Sequence, residues 1–130
     1  KLGISIEIEC SDWNTHLIKL KAKDYQMAPL HLTAIYPDLM FYLDLFRHKA
    51  TLGNYSGWEH LGFRDLLKKS EMELDSGERT TLLQQAEWEL FQEIPVIPVF
   101  TQNFQYLTQD SLNLVISELG IYDFKAIQIK

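Results

Sequence analysis

A single cysteine, Cys10, excludes any disulfide within the 130-residue chain. It continues an alternating apolar row and reads as a small buried hydrophobe, with a reactive thiol as the alternative. No apolar run approaches the roughly 18 residues that would span a bilayer. Basic residues are in the minority, 12 Lys+Arg against 18 Asp+Glu, for a formal charge of −6. They form no stripe interleaved with exposed aromatics. That argues against nucleic acid as a partner and against an anionic membrane surface.

Chemical motifs are equally scarce. His16, His31, His48 and His60 share no H-x-x-H or H-x-x-x-H spacing and sit near no cysteine pair, so no metal site is expected. There is no G-x-S-x-G elbow. Gly53 and Gly57 lack the strand-loop-helix setting of a phosphate cradle. The carboxylate pairs Asp38 and Asp44, Glu71 and Glu73, and Glu87 and Glu89 fall in helical surroundings and read as solvated faces. No catalytic residue and no cofactor is expected. The chain opens on Lys1 inside a strand-like pattern without a signal-peptide signature, which suggests a piece of a longer protein with any targeting information upstream.

What is present is a dense succession of local structure signals. Ile4, Ile6, Ile8 and Cys10 alternate with Ser5, Glu7 and Glu9, the period of a half-buried strand. Ser11 and Asp12 offer cap oxygens to a helix over 12–23, whose Trp13, Leu17 and Leu20 share a face. Residues 25–35 read as a second strand, interrupted at Pro29. Together these predict a right-handed parallel β-α-β unit.

Tyr36-Pro37-Asp38 marks a turn, with Asp38 capping a helix that carries Leu39, Tyr42, Leu43 and Phe46. Residues 51–57 are the clearest loop. Phe63, Leu66, Leu67, Ser70 and Leu74 outline another helix, broken at Asp75-Ser76-Gly77. A long helix follows with Leu82 or Leu83, Ala86 and Leu90 on its stripe, ending before Pro95. Short strands are expected over 96–100, 104–107, 112–116 and 126–129. The order β-α-β-α-α-α-β-β-β-β defines an α/β fold with an antiparallel tail.

Trp13, Tyr36, Tyr55 and Trp58 flank turns or helix starts, where aromatic side chains either face a cleft or fill a core. Both readings stand on these residues alone.

Taken in order, several stretches resemble the substrate-binding proteins of oligopeptide, dipeptide and nickel ABC importers, extracellular solute-binding proteins of family 5. LGISIEIECSDWNTHL (Leu2 to Leu17) is similar to that family's strand, acidic residue, Trp and helix. DYQMAPLHLTAIYPDLMFYLDLF (Asp24 to Phe46) resembles its "D-Y-D … Y-P-D-P … F-L-x-x-F", and NYSGW (Asn54 to Trp58) its "N-Y-x-G-Y". FRDLLKKS is like the next helix start. AEWELFQEIPVIPVF (Ala86 to Phe100) resembles "A-E-x-x-L-x-x-x-x-P-x-I-P-L-Y", and LGIYDFKAIQI the closing "G-x-x-D-F-K" strand. The likeness runs colinearly through essentially the whole chain.

The resemblance implies the C-terminal portion of a two-lobed protein that closes around a ligand. Residues 1–102 would form part of the second lobe. Residues 103–130 would return as tail strands to a first lobe whose remainder, the N-terminal lobe, is absent. It implies a peptide or peptide-like ligand, a membrane permease as partner, no enzymatic activity, and a periplasmic or lipoprotein-anchored location. Trp13, Leu32, Thr33, Ala34, Ile35, Tyr36, Tyr55 and Trp58 would line the pocket, with the ligand lying against 32–35 by backbone hydrogen bonds.

The sequence departs from the family at its charged anchors. An Asp that neutralises the peptide amino terminus in peptide-binding members falls at Ile35, and two arginines fall at Leu20 and Pro29. A charge buried without a partner costs several kcal/mol. Either the missing lobe or water anchors the termini, or the ligand is uncharged at that end, or the pocket has lost its transport ligand. A nickel-chelate binder and the sensor domain of a transcription regulator remain as alternatives.

Overall fold

The computed structural model describes residues 3–101, 105–117 and 120–129. The chain divides into two compact units, Lys1–His31 and Leu32–Lys130.

The first unit is built on α1 (Trp13–Ala22). Asp12 caps it as the sequence predicts, its carboxylate accepting the Asn14 and Thr15 N–H groups at 3.0 and 3.2 Å and the Thr15 hydroxyl at 2.6 Å. Lys23 closes the helix in the left-handed conformation, and its N–H returns to the Leu20 carbonyl. Of the predicted apolar face only Leu20 is fully buried.

Those bonds set a pH dependence. The Thr15 hydroxyl, then the Thr15 N–H, hold the Asp12 carboxyl below its usual range, and burial opposes them only in part. The folded pKa lies below the unfolded one, so the cap stabilises α1 above the unfolded value. That contribution is lost as pH falls through the folded one. Amide resonances of Asn14 and Thr15 are expected to titrate together at acid pH. Asp12→Asn, which caps without ionising, is expected to abolish that titration, and its persistence would refute the assignment.

The flanking strands of the expected β-α-β unit are not formed. Residues 3–12 and 24–34 carry no strand, and Ile4, Ile6 and Ile8 are 71%, 80% and 82% exposed. Cys10 is exposed as well, against the expectation of burial. An alternating pattern supplies a face that favours cover, but a strand exists only once a neighbour completes its ladder. At Pro29 the carbonyl is taken by the His16 ring Nε2 at 2.9 Å, so a side chain uses the acceptor that a neighbouring strand would.

The second unit is helical. After the turn at 35–39 come α2 (Met40–Asp44), α3 (Leu61–Met72) and α4 (Ser76–Glu93). Asp75 accepts the Gly77 and Glu78 N–H groups, each at 2.9 Å, and starts α4 three residues after α3 ends. The result is a helical hairpin. Phe63, Leu67 and Ser70 recur at i, i+4 and i+7 on α3, and Leu83, Ala86 and Leu90 at i, i+3 and i+7 on α4. With Leu43 and Phe46 the apolar members form one core. Each buried Leu or Phe contributes about 1.5–3 kcal/mol. Ser70 is tolerated there because its hydroxyl donates to the Leu67 carbonyl at 2.7 Å.

Leu74 does not extend the face of α3. It is 99% exposed, because α3 stops at Met72 and the chain turns away. As expected, α4 ends ahead of Pro95, on Ile94 in a left-handed conformation.

The expected C-terminal strands are reduced among the described residues to Leu112–Asn113 (β1) paired antiparallel with Gln128–Ile129 (β2), and a lone bridge between Ile116 and Tyr122. Residues 96–100 and 105–107 carry no strand. Pro98 removes a donor from the middle of the first of these. Phe104, the expected opening of the second, and the boundary between 102 and 103 lie outside the described residues. The α/β expectation thus holds for its helices, while its sheet is reduced to this one short pair.

Candidate ligand-binding site

Trp13 stands in the first turn of α1, 58% exposed, with its ring tilted against His16 at 5.8 Å. It belongs to the first unit. The other seven candidate residues belong to the second.

Along 32–35 the period of two survives without a strand. Leu32 and Ala34 are half-buried, whereas Thr33 and Ile35 are exposed, Ile35 by 75%. Tyr36 opens the turn and sets its ring edge-on against Phe41 at 5.2 Å. Asp38 fastens this turn. Its N–H donates to the Tyr36 carbonyl at 2.9 Å, and its carboxylate accepts the Met40 N–H at 2.8 Å. The same carboxylate pairs with Arg79 of α4 at 2.9 Å.

Tyr55 and Trp58 are brought together on the loop between α2 and α3. Asn54 organises that loop from inside, only 5% exposed. Its Nδ2 donates to the His48 and Trp58 carbonyls at 2.9 and 2.8 Å, and its Oδ1 accepts the Gly57 N–H and Ser56 hydroxyl, both at 2.9 Å. Gly53 adopts φ +97°, where a Cβ would also press on the Leu45 side chain at 3.2 Å. Tyr55 is half-buried. Trp58 packs against the helical core, edge-on to Phe63 at 5.0 Å, and its Nε1–H donates to Glu93 at 2.7 Å. At Trp58 the structure shows the core role: the ring is half-buried and structurally engaged.

Several carboxylates around these segments pair with arginines. Arg47 binds both Asp44 and Glu71, and Glu71 foremost holds its guanidinium above the usual range. Burial pushes the Glu59 carboxyl up, but the His48 hydrogen bond and the Arg64 charge outweigh it and keep the group below its usual range. His60 caps α3 through Nδ1, which accepts the Phe63 N–H at 3.3 Å, and it lies 3.7 Å from Glu89. Among the described residues no group of three or more His, Cys, Asp or Glu could hold a metal ion. No helix described is long and apolar enough to cross a membrane.

An open groove elsewhere, between α3 and α4, is lined by Leu66, Lys69, Gln84 and Trp88 among others, and by none of the eight candidate residues. Sequence reasoning missed Asn54 as an organiser, Arg79 as the partner of Asp38, and His60 as a cap. An Asn two residues before a serine and three before a glycine signals the first. Histidine is outside the usual set of capping residues, and the Arg79 pairing joins residues 41 apart.

No protein-family model matches the chain. Among curated proteins it is 34% identical over 115 residues to the oligopeptide-binding protein OppA of Bacillus subtilis, covering 88% of this chain and 21% of that protein. It is 28% identical over 125 residues to the dipeptide-binding protein DppE of the same organism, covering 95% of this chain and 23% of that protein. It is 27% identical over 101 residues to the probable deoxycholate-binding periplasmic protein YgiS of Escherichia coli, covering 78% of this chain and 19% of that protein. The chain thus spans about a fifth of the length of these relatives. It is homologous to peptide-binding proteins of extracellular solute-binding family 5.

Proposed function

We propose that this chain is part of the second lobe of an extracytoplasmic solute-binding protein that captures oligopeptides or peptide-like solutes and delivers them to an ABC permease. The observation that carries the proposal is the 34% identity to an oligopeptide-binding protein along 88% of the chain. In this reading residues 1–102 belong to that lobe and 103–130 to tail strands of the first. The exposed Ile4, Ile6 and Ile8 and the apolar stretch 94–100 would then be covered by sheet from the rest of the protein. The relatives are named as binding proteins, and the carboxylates nearest the candidate segments are engaged by arginines. Both support a ligand carrier and no enzyme.

Ligand contact is assigned to 32–36 with Trp13, Tyr55 and Trp58. Ile35 presents an exposed apolar side chain where peptide-binding members of the family hold a carboxylate. That favours ligands anchored at their charged ends by the other lobe, or solutes uncharged at that end. A relative named for deoxycholate fits the second alternative. Mass spectrometry of small molecules released on denaturing the full-length protein tests the proposal. Short peptides are expected. A single non-peptide species would replace the peptide assignment, and an empty cleft that takes up no peptide would reject transport.

A further inference from the structure

We infer that Arg79 is a positioning residue, holding the turn that presents Ile35 and Tyr36 to the ligand; this rests on the assignment of 32–36 to ligand contact. Between Leu32 and Leu39 the chain has no helix or strand to fix it. Within it Asp38 binds the Tyr36 carbonyl through its N–H and the Met40 N–H through its carboxylate. Those ties close the turn on itself. At its end Leu39 and Met40 pack against the helical core, an apolar contact without direction.

Arg79 adds a directed contact. It projects from the first turns of the 18-residue α4, and its Nη2 lies 2.9 Å from Oδ2 and 3.2 Å from Oδ1 of Asp38. Both side chains are about two-thirds withdrawn from solvent, at 32% and 30% exposure, so the pair is screened less than a surface ion pair. A charge-assisted contact to a helix, 41 residues away in sequence, adds geometric specificity to how the turn is held. Binding elements lose affinity when their support is left loose, because ordering then falls to the ligand.

The test is calorimetric titration of the full-length protein with trialanine and pentaalanine, run beside thermal melts. Arg79→Met is expected to weaken binding about tenfold, and Arg79→Lys to recover most of the loss. Asp38→Asn keeps an acceptor for Met40, and its combination with Arg79→Met is expected to bind no worse than Arg79→Met alone. Asp75→Ala weakens the start of the same helix without touching the turn, and is expected to leave affinity unchanged. Wild-type affinity in Arg79→Met, or an equal loss in Asp75→Ala, would overturn the inference while leaving the ligand assignment intact. A wild type that binds neither peptide would overturn both.

Discussion

Replacing Phe63 by alanine is expected to lower the stability of the second unit by about 3–5 kcal/mol, the range for removing a buried aromatic ring. Phe63 is fully buried, and α3 presents it one turn ahead of Leu67, in the same core as Leu83, Ala86 and Leu90. Its ring also receives the edge of Trp58 at 5.0 Å, a contact that adds about 0.5–1.5 kcal/mol beyond area. The void cannot close cheaply. The His60 cap holds the Phe63 backbone, and the hydrogen bond from Trp58 to Glu93 holds the opposing wall. Urea denaturation followed by far-ultraviolet circular dichroism checks it, with an unchanged slope and a displaced midpoint. Leu61, one turn boundary away and 72% exposed, is the control: its alanine variant should change stability by less than about 0.5 kcal/mol. A Phe63→Ala loss below about 1 kcal/mol would show that the hairpin core is not packed as described.

The helices were legible because their signals are local. Asp12 is a cap residue followed by apolar spacing of 3.6, and its cap is made within three residues of sequence; Asp75, read only as part of a break, caps α4 by the same local chemistry. Pro95 ends α4 by the same local sterics. Strands answer to a different physics. The alternation of Ile4, Ile6 and Ile8 states which face favours burial, yet nothing in it names the chain that covers that face. Cys10 was misjudged by the same route, its burial inferred from a row whose cover this chain does not supply.

The candidate site divides along the same line. Tyr36-Pro37-Asp38 and the 51–57 loop were visible as turn chemistry, and both fold as turns. What holds them was not visible. The Arg79–Asp38 and Trp58–Glu93 pairs span 41 and 35 residues, distances over which no periodicity carries information. Anchoring of a peptide's charged ends lies further out still. In the proposed reading either the other lobe supplies it or the ligand is uncharged at that end, since the position expected to anchor an amino terminus is Ile35 here.

Asn54→Ala is expected to cost about 2–4 kcal/mol. Its amide makes four hydrogen bonds, to the His48 and Trp58 carbonyls and from the Ser56 hydroxyl and Gly57 N–H. Each bond is worth about 1 kcal/mol net, and partners left buried without one lose more. The loss should be local in character. Released from Asn54, the loop frees Tyr55 and loosens Trp58, whereas α3 and α4 keep their shared core. Asn54→Asp separates shape from donation: it keeps the acceptor for Ser56 and Gly57 but sets a carboxylate against two carbonyls. It should be at least as damaging as alanine. Amide hydrogen exchange over 48–60 beside 63–72 gives the reading. Faster exchange confined to the loop is the expected outcome. Unchanged protection there would mean that Gly53, Gly57 and the Trp58–Glu93 bond hold the loop without Asn54.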